Sequence, residues 1–139
     1  MPADVINIDN LSLDMAWKLM LEHWRFIAHN ARKKGYSFMG VDTGRSAIYL
    51  KKKWLNSNKL RFNRLPRGCF FCEYALQNAL TEEDRCKQCP GVLVNPKFRC
   101  TNPRYHSLFY PRKFYCKLLK MYKKYQKTRP IQILRVKYE

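Results

Sequence analysis

Acidic side chains are scarce in this chain of 139 residues, in which Asp and Glu total 10 against 28 Lys and Arg and the formal net charge is +18. No apolar run approaches the roughly 20 residues needed to cross a bilayer. Charged residues also interrupt the N-terminus, where a secretory signal has its apolar segment. These absences exclude a membrane span and predict a soluble cytoplasmic protein whose cysteines stay reduced.

Catalytic motifs are absent as well. The chain contains no HExxH and no GxSxG, and residues 30–105 lack the histidines that a zinc-supported histidine nuclease needs. Segment 40–46 faintly resembles a phosphate loop, but it has one residue too few between its glycines and an arginine in place of the lysine. We therefore predict that the protein is not an enzyme and has no small-molecule substrate.

The positive charge is concentrated in two arms. Residues 1–24 carry a net charge of −3, residues 25–68 carry +11, residues 69–100 balance at zero, and residues 101–139 carry +10. Repulsion between two such arms destabilises a small protein unless an anion neutralises them. A solubilising surface is the plain alternative, but two basic arms on one short chain favour a polyanion partner, with nucleic acid the default.

Two segments have the period of an amphipathic helix. In segment 11–34 apolar residues, including Trp17 and Trp24, recur at spacings of three and four, which predicts that they belong to the core. Segment 111–128 places an apolar seam opposite an all-lysine face, and Pro130 is expected to end this helix before a short terminal strand. The lysine face consists of Lys113, Lys117, Lys120, Lys124 and Lys127.

Segment 45–68 is basic and begins with a predicted short strand at 47–50. Cationic and aromatic residues then alternate, as in a groove that neutralises phosphates and stacks on bases. Trp54 and Phe62, taken singly, are more simply interpreted as anchors to the core. The predicted phosphate contacts of this segment are Lys51, Lys52, Lys53, Arg61, Arg64 and Arg67.

The cysteines give the sharpest pattern. Cys69-x2-Cys72 is followed after thirteen residues by Cys86-x2-Cys89, and two such knuckles supply the four thiolates that a structural zinc prefers. We predict one structural Zn²⁺, with an iron–sulfur cluster or two disulfides as alternatives. A fifth cysteine, Cys100, is either a spare thiol or a replacement for one of the four.

Two further residues near this pattern have simpler interpretations. His106 follows Cys100 and is expected to be an ordinary loop histidine. Cys116 lies beside the lysine face, where cations favour its thiolate, and we interpret it as a free thiol with no histidine base near it in sequence.

The cysteine block resembles that of a group of small tailed-bacteriophage proteins. Cys69-Phe70-Phe71-Cys72-Glu73-Tyr74-Ala75, Cys86-Lys87-Gln88-Cys89-Pro90 and Cys100 match their C-x2-C-E-Y-A … C-x2-C-P … C pattern, after a tryptophan-bearing helix similar to segment 24–28. The resemblance covers about residues 15–105 and implies a viral origin, a host-cell cytoplasmic location and metal binding, but no mechanism. Segment 45–67 and the lysine helix lie outside the pattern.

Together these features predict an α+β fold: a small single domain, 1–139, with two amphipathic helices around a zinc-knuckle centre and short strands. Its parts are the N-terminal helix 11–34, the basic segment 45–68, the cysteine module 69–100 and the lysine-rich helix 111–128. The predicted function is backbone-directed nucleic-acid binding, with RNA slightly favoured over DNA because interleaved aromatics suit exposed bases.

Two other functions remain open from the sequence. A phage-encoded inhibitor of a host defence or transcription complex would occupy that complex's nucleic-acid path and use helix 11–34 for docking. A basic component of a larger ribonucleoprotein or virion would instead sediment with a stoichiometric assembly.

Overall fold

The computed structural model describes residues 5–33 and 40–138, with side chains for 5–31, 47–81 and 83–128. Five α helices occupy most of these residues: α1 Leu13–Lys33, α2 Gly40–Ser57, α3 Phe70–Asn78, α4 Pro90–Val94 and α5 Pro111–Tyr138. Short 3₁₀ helices lie at Ile8–Asn10, Lys59–Arg61, Glu82–Asp84 and Cys86–Gln88. The described residues form no β-sheet, and their one bridge is an isolated parallel pairing of Ile6 with Phe62.

The predicted α+β class is therefore wrong, because the short strands are absent from the described residues. Segment 47–50 lies within α2, where Ala47, Leu50 and Trp54 are buried while Ile48 and Tyr49 are exposed. Spacings of three and four place the buried set on one helix face, whereas a strand would alternate. The apolar run at 47–50 was too short for its period to distinguish a helix from a strand.

The predicted strand after Pro130 is wrong as well. Helix α5 runs through Pro130 to Tyr138. A proline inside a helix removes one backbone hydrogen bond and strains the preceding turn, but it does not always end the helix. A strand in this position would need a neighbouring strand to pair with, and the described residues offer no sheet.

Helix α1 lies at the centre of the core and packs against α2, α3 and α5. Trp17 and Trp24 are buried on it, as predicted. The Trp17 ring meets Phe71 of α3 edge-on with centroids 4.8 Å apart, and Trp24 meets Phe114 of α5 in the same way at 4.9 Å. These contacts fix the face of α5 that turns inward, and so direct its lysines away from the core.

One titratable side chain, His23, is enclosed completely in this core. Its ring lies 4.7 Å from that of Trp54 between centroids, and its Nε2 is 3.2 Å from the carbonyl oxygen of Lys51. Its Nδ1 has no hydrogen-bond partner among the described residues. Burial lowers the pKa of His23 to about 4, since a charged imidazole here loses its hydration; the Lys51 carbonyl opposes this shift.

We expect this histidine to make the fold sensitive to mild acid. The unfolded chain binds a proton at His23 near its ordinary pKa of 6.5, and the folded chain only near 4, so stability falls as the pH drops from about 6.5 to 4. The full loss is about 3 kcal/mol. Denaturant unfolding at pH 7 and pH 4.5 measures it. His23→Gln, which keeps a donor for the Lys51 carbonyl, should flatten the dependence; an unchanged slope would contradict the assignment.

Candidate functional site

Five cysteines lie around α3 and the segments packed against it, and we call them the cysteine cluster. Cys69 caps the N-terminus of α3, where its Sγ accepts a hydrogen bond from the Cys72 amide at 3.3 Å. The 3₁₀ helix Cys86–Gln88 packs against α3, and Cys89 is the residue that precedes α4. Cys100 lies in the turns that follow α4. The fold therefore brings both predicted knuckles and the fifth cysteine to one region.

The thiols of the cluster influence one another electrostatically. A hydrogen bond from the Cys69 thiol lowers the pKa of Cys72 to about 6, while the same interaction and burial raise the pKa of Cys69. Burial raises the pKa of Cys89 to about 11 and also raises that of Cys100, and negative charge on Cys72 adds to both shifts. Cys72 is thus the thiol whose negative charge raises the pKa of three others, Cys69, Cys89 and Cys100.

Cations adjoin the cluster from two sides. Lys51 of α2 and Arg85 both lower the pKa of Cys72, and Lys51 acts in the same direction on Cys69 and Cys100. Positive charge beside thiols favours the thiolate, which is the form that binds a metal. Lys51, predicted as a phosphate contact, is accordingly placed to act on the cysteines.

The coordination geometry of a metal is not preassembled. Among the described residues, no three His, Cys, Asp or Glu side chains are arranged to hold an ion, and all six cysteines are free thiols. The donor chemistry nevertheless fits zinc, since four or more soft thiolates from separate short segments are what structural zinc sites use. To bind zinc, these segments would have to bring four of the thiolates to one centre.

The lysine face of α5 is open to solvent. Lys113, Lys120, Lys124 and Lys127 are exposed, and Lys117 is half-buried. Residues 85–138 contain no Asp or Glu, so α5 itself contributes no acid to this face. Surface lysines of ordinary helices usually alternate with acids. The lysine face therefore carries only positive side chains along about 21 Å of α5, at 1.5 Å per residue from the first lysine to the last.

A cleft of about 670 Å³ adjoins the N-terminal half of this face, and we call it the cationic cleft. Its described lining combines four cations with three aromatic rings and contains no acid. Lys113 Nζ lies 5.0 Å from the ring centre of Tyr110, and Lys117 Nζ lies 5.4 Å from that of Tyr105. The lining residues are Ala31, Tyr105, Phe109, Tyr110, Pro111, Arg112, Lys113, Cys116, Lys117 and Lys120.

Two arginines of segment 45–68 are committed to ion pairs within the protein. Arg64 donates to the buried carboxylate of Glu73 at 2.8 and 3.2 Å and to Asp9 at 2.9 Å. Arg61 donates to Glu22 at 2.6 and 3.1 Å. Burial alone would raise the pKa of Glu73, but its hydrogen bonds from Arg64 and from the Arg67 amide outweigh burial and lower it.

Other cations among the described side chains of segment 45–68 are not held in such ion pairs. Lys52, Lys53 and Arg67 have exposed side chains, and they are free to meet a phosphate in a way that Arg61 and Arg64 are not. Trp54 and Phe62 are both buried in the core, which confirms that they are anchors rather than stacking rings. Fewer cations of segment 45–68 are therefore available to a phosphate than its composition indicates.

The aromatic residues of the cleft were not singled out by the sequence analysis. Tyr105, Phe109 and Tyr110 lie in the loop before α5, between Arg104 and Arg112 in the sequence. The available signal was the same interleaving of aromatic and basic residues that drew attention to segment 45–68. This interleaving was overlooked because the turn-rich loop has no helical or strand period that would draw attention to it.

His106 and Cys116, which the sequence analysis interpreted as a loop histidine and a free thiol, lie near this cleft. The Nδ1 of His106 accepts a hydrogen bond from the Leu108 amide at 3.2 Å, and its ring packs on Phe109 with centroids 4.6 Å apart. These are the contacts of a loop histidine, as predicted. Cys116 is exposed and free, beside the lysine face.

Comparison with known protein families, with curated proteins and with solved structures gives no match. The resemblance to tailed-phage proteins accordingly stays a prediction. In the stretches that the structure describes, none of the helices is both long enough and apolar enough to traverse a bilayer.

Proposed function

We propose that this protein is a zinc-stabilised, basic nucleic-acid-binding protein that contacts mainly the phosphate backbone, with RNA slightly favoured over DNA. The observation that supports this proposal most is the exposed lysine face of α5, which lies in a stretch, residues 85–138, that contains no Asp or Glu. Lysines that meet phosphates release the counterions condensed on the strand, and this release drives binding. Over about 21 Å a strand presents several phosphates to such a face.

Exposed aromatic rings beside the lysines support the preference for RNA. Phe109 and Tyr110 are 42% and 45% exposed. RNA is commonly recognised in single-stranded loops and ends, where unstacked bases meet aromatic side chains. A helix that reads the major groove of duplex DNA usually combines several base-reading side chains, such as Asn, Gln, Arg and Lys, on its inserted face, whereas the lysine face of α5 consists of lysines alone, which suits phosphates.

The proposed zinc has a structural task. Cys69, Cys72, Cys86, Cys89 and Cys100 supply its four ligands, with one thiol to spare. The carbonyl oxygen of Cys100 accepts a hydrogen bond from the Ser107 amide at 3.0 Å, so the cluster is joined directly to the loop that lines the cationic cleft. A metal that cross-links these short segments would therefore hold the binding surface in place.

Charge reversal on the lysine face tests the proposal. We expect Lys120→Glu with Lys124→Glu to lower the affinity for a single-stranded oligonucleotide about a hundredfold at 50 mM salt, because two attractions become two repulsions. Both side chains are exposed, so folding should persist. Fluorescence anisotropy measures the affinity and circular dichroism the fold.

The matched control is Lys59→Glu with Lys97→Glu, at two exposed lysines that are not part of α5, and it changes the net charge by the same amount. The control should lose far less affinity. Equal losses in both double variants would mean that net charge alone attracts the strand, and that α5 is not the binding surface.

The inhibitor of a host complex is the second candidate. Its predicted docking helix does not offer an apolar surface, because Trp17, Trp24 and the rest of the α1 stripe lie in the core. Such an inhibitor would have to use the basic surface against an acidic protein groove. Nuclease treatment separates the two: an inhibitor keeps its protein target after nuclease, whereas a nucleic-acid-binding protein loses its partner.

A further inference from the structure

We infer that the cationic cleft holds an unpaired nucleotide of a single-stranded nucleic acid, with its base on Tyr110 and Phe109 and its phosphates on the surrounding cations. This inference rests on the proposed function and adds to it a site and a substrate class. The cleft, at about 670 Å³, is within the size range of small-molecule sites. Aromatic rings and cations side by side are what a nucleotide, with its flat base and charged phosphate, requires.

The two rings are presented by an ordered turn rather than by a loose loop. The Tyr110 amide donates to the His106 carbonyl oxygen at 2.7 Å, and the Phe114 amide donates to the Tyr110 carbonyl oxygen at 2.9 Å. The His106 ring also packs on Phe109. A ring that is already held in place loses little conformational freedom when a base stacks on it, which favours binding.

Tyr105 has a different task at the wall of the cleft. Its ring lies nearly parallel to that of Phe98, at an angle of 16° with centroids 6.0 Å apart, and Phe98 is buried against Phe114. Gly91 permits this packing, because a Cβ there would lie 2.6 Å from the Phe98 ring. Tyr105 is thereby tied to the core, and it fixes the position of Lys117 through the cation–π contact.

The charges of the cleft select the occupant. Arg112, Lys113, Lys117 and Lys120 line it, and its described lining contains no carboxylate. An acidic peptide would satisfy the cations but would leave Phe109 and Tyr110 in water. A duplex would satisfy the cations but would keep its bases stacked inside. An unpaired nucleotide satisfies both sets of groups.

Binding of three probes tests this inference at 50 mM salt: a short single strand carrying 2-aminopurine, a duplex of the same length, and a nucleoside monophosphate. We expect the wild-type protein to prefer the single strand and to quench 2-aminopurine fluorescence by stacking. Tyr110→Leu should lower single-strand affinity about tenfold and leave duplex affinity unchanged. Tyr110→Phe keeps the ring and should behave as the wild type.

Tyr49→Leu is the matched control. Tyr49 is also an exposed tyrosine with a lysine over its ring, Lys53 Nζ at 6.0 Å, but it lies on α2. This variant should keep both the preference for single strands and the fluorescence quenching. If Tyr49→Leu lowers the affinity for the single strand as much as Tyr110→Leu does, the effect is not specific to the cleft and the inference is wrong.

The other outcomes separate this inference from the proposed function. Equal, salt-dependent binding of single strand and duplex, unaffected by Tyr110→Leu, would overturn the cleft as a base site while leaving backbone binding intact. No binding of either strand form would overturn the proposed function and the inference together. Micromolar binding of the monophosphate without binding of the strand would identify a free nucleotide as the occupant and would also overturn the inference.

Discussion

Replacing Cys72 by serine is expected to release the proposed zinc and to lower the melting temperature by about 20 °C or more. The apparent binding free energy of structural zinc reaches about 10–16 kcal/mol in small domains, comparable with the whole stability of a domain at about 5–15 kcal/mol. Cys72 is the best choice because its charge acts on both Cys89 and Cys100, and it hydrogen bonds with Cys69. A serine hydroxyl there is a poor zinc ligand.

Cys116→Ser provides the comparison, because Cys116 is an exposed free thiol on α5 outside the cluster. We expect this variant to keep one zinc per chain and the melting temperature of the wild type. Metal analysis and calorimetry on the three proteins settle the matter. A Cys72→Ser protein that melts like the wild type would show that Cys72 is not a required ligand, and a wild-type protein without zinc would show that the cluster is a set of ordinary thiols.

The affinity of the protein for nucleic acid is expected to fall about a thousandfold between 50 and 200 mM monovalent salt. This follows if six or so phosphates are neutralised, since each releases condensed counterions and the logarithm of affinity declines linearly with the logarithm of salt concentration. In the proposed function most of these contacts come from the five lysines of the lysine face, and others come from Lys52 and Lys53, whose side chains are exposed.

Anisotropy titrations of one oligonucleotide at four salt concentrations give the slope directly. The Lys120→Glu, Lys124→Glu variant should reduce the slope by about two, one for each lost phosphate contact. Affinity that barely changes over this range would contradict backbone binding, whatever its absolute strength at low salt.

The sequence predicted the long helices better than the short elements. The first helix was expected at 11–34 and extends from Leu13 to Lys33, because its apolar period is sustained over several turns. Segment 47–50 is too short for its period to be read, so the burial of Ala47 and Leu50 on α2 was mistaken for a strand. Whether a proline ends a helix depends on its surroundings, and Pro130 does not end α5.

In the candidate site, too, features that depend on local sequence were predicted, and features that depend on long-range contacts were not. Burial of Trp54 and Phe62 followed from single residues and was predicted correctly. Which cations remain available depended on long-range pairs, such as Arg64 with Glu73 and Arg61 with Glu22, that no local pattern reveals. The cationic cleft was missed for the same reason, since Ala31 of α1 and the loop before α5 meet only in the folded chain.

The most direct test of nucleic-acid binding is the absorbance of the purified, untagged protein at 260 and 280 nm, recorded before and after nuclease with a high-salt wash. The proposed function predicts a high ratio that collapses on washing, with a bound strand that can be recovered and sequenced. A clean protein spectrum from the start, together with a protein partner that survives nuclease, would contradict it and favour the inhibitor.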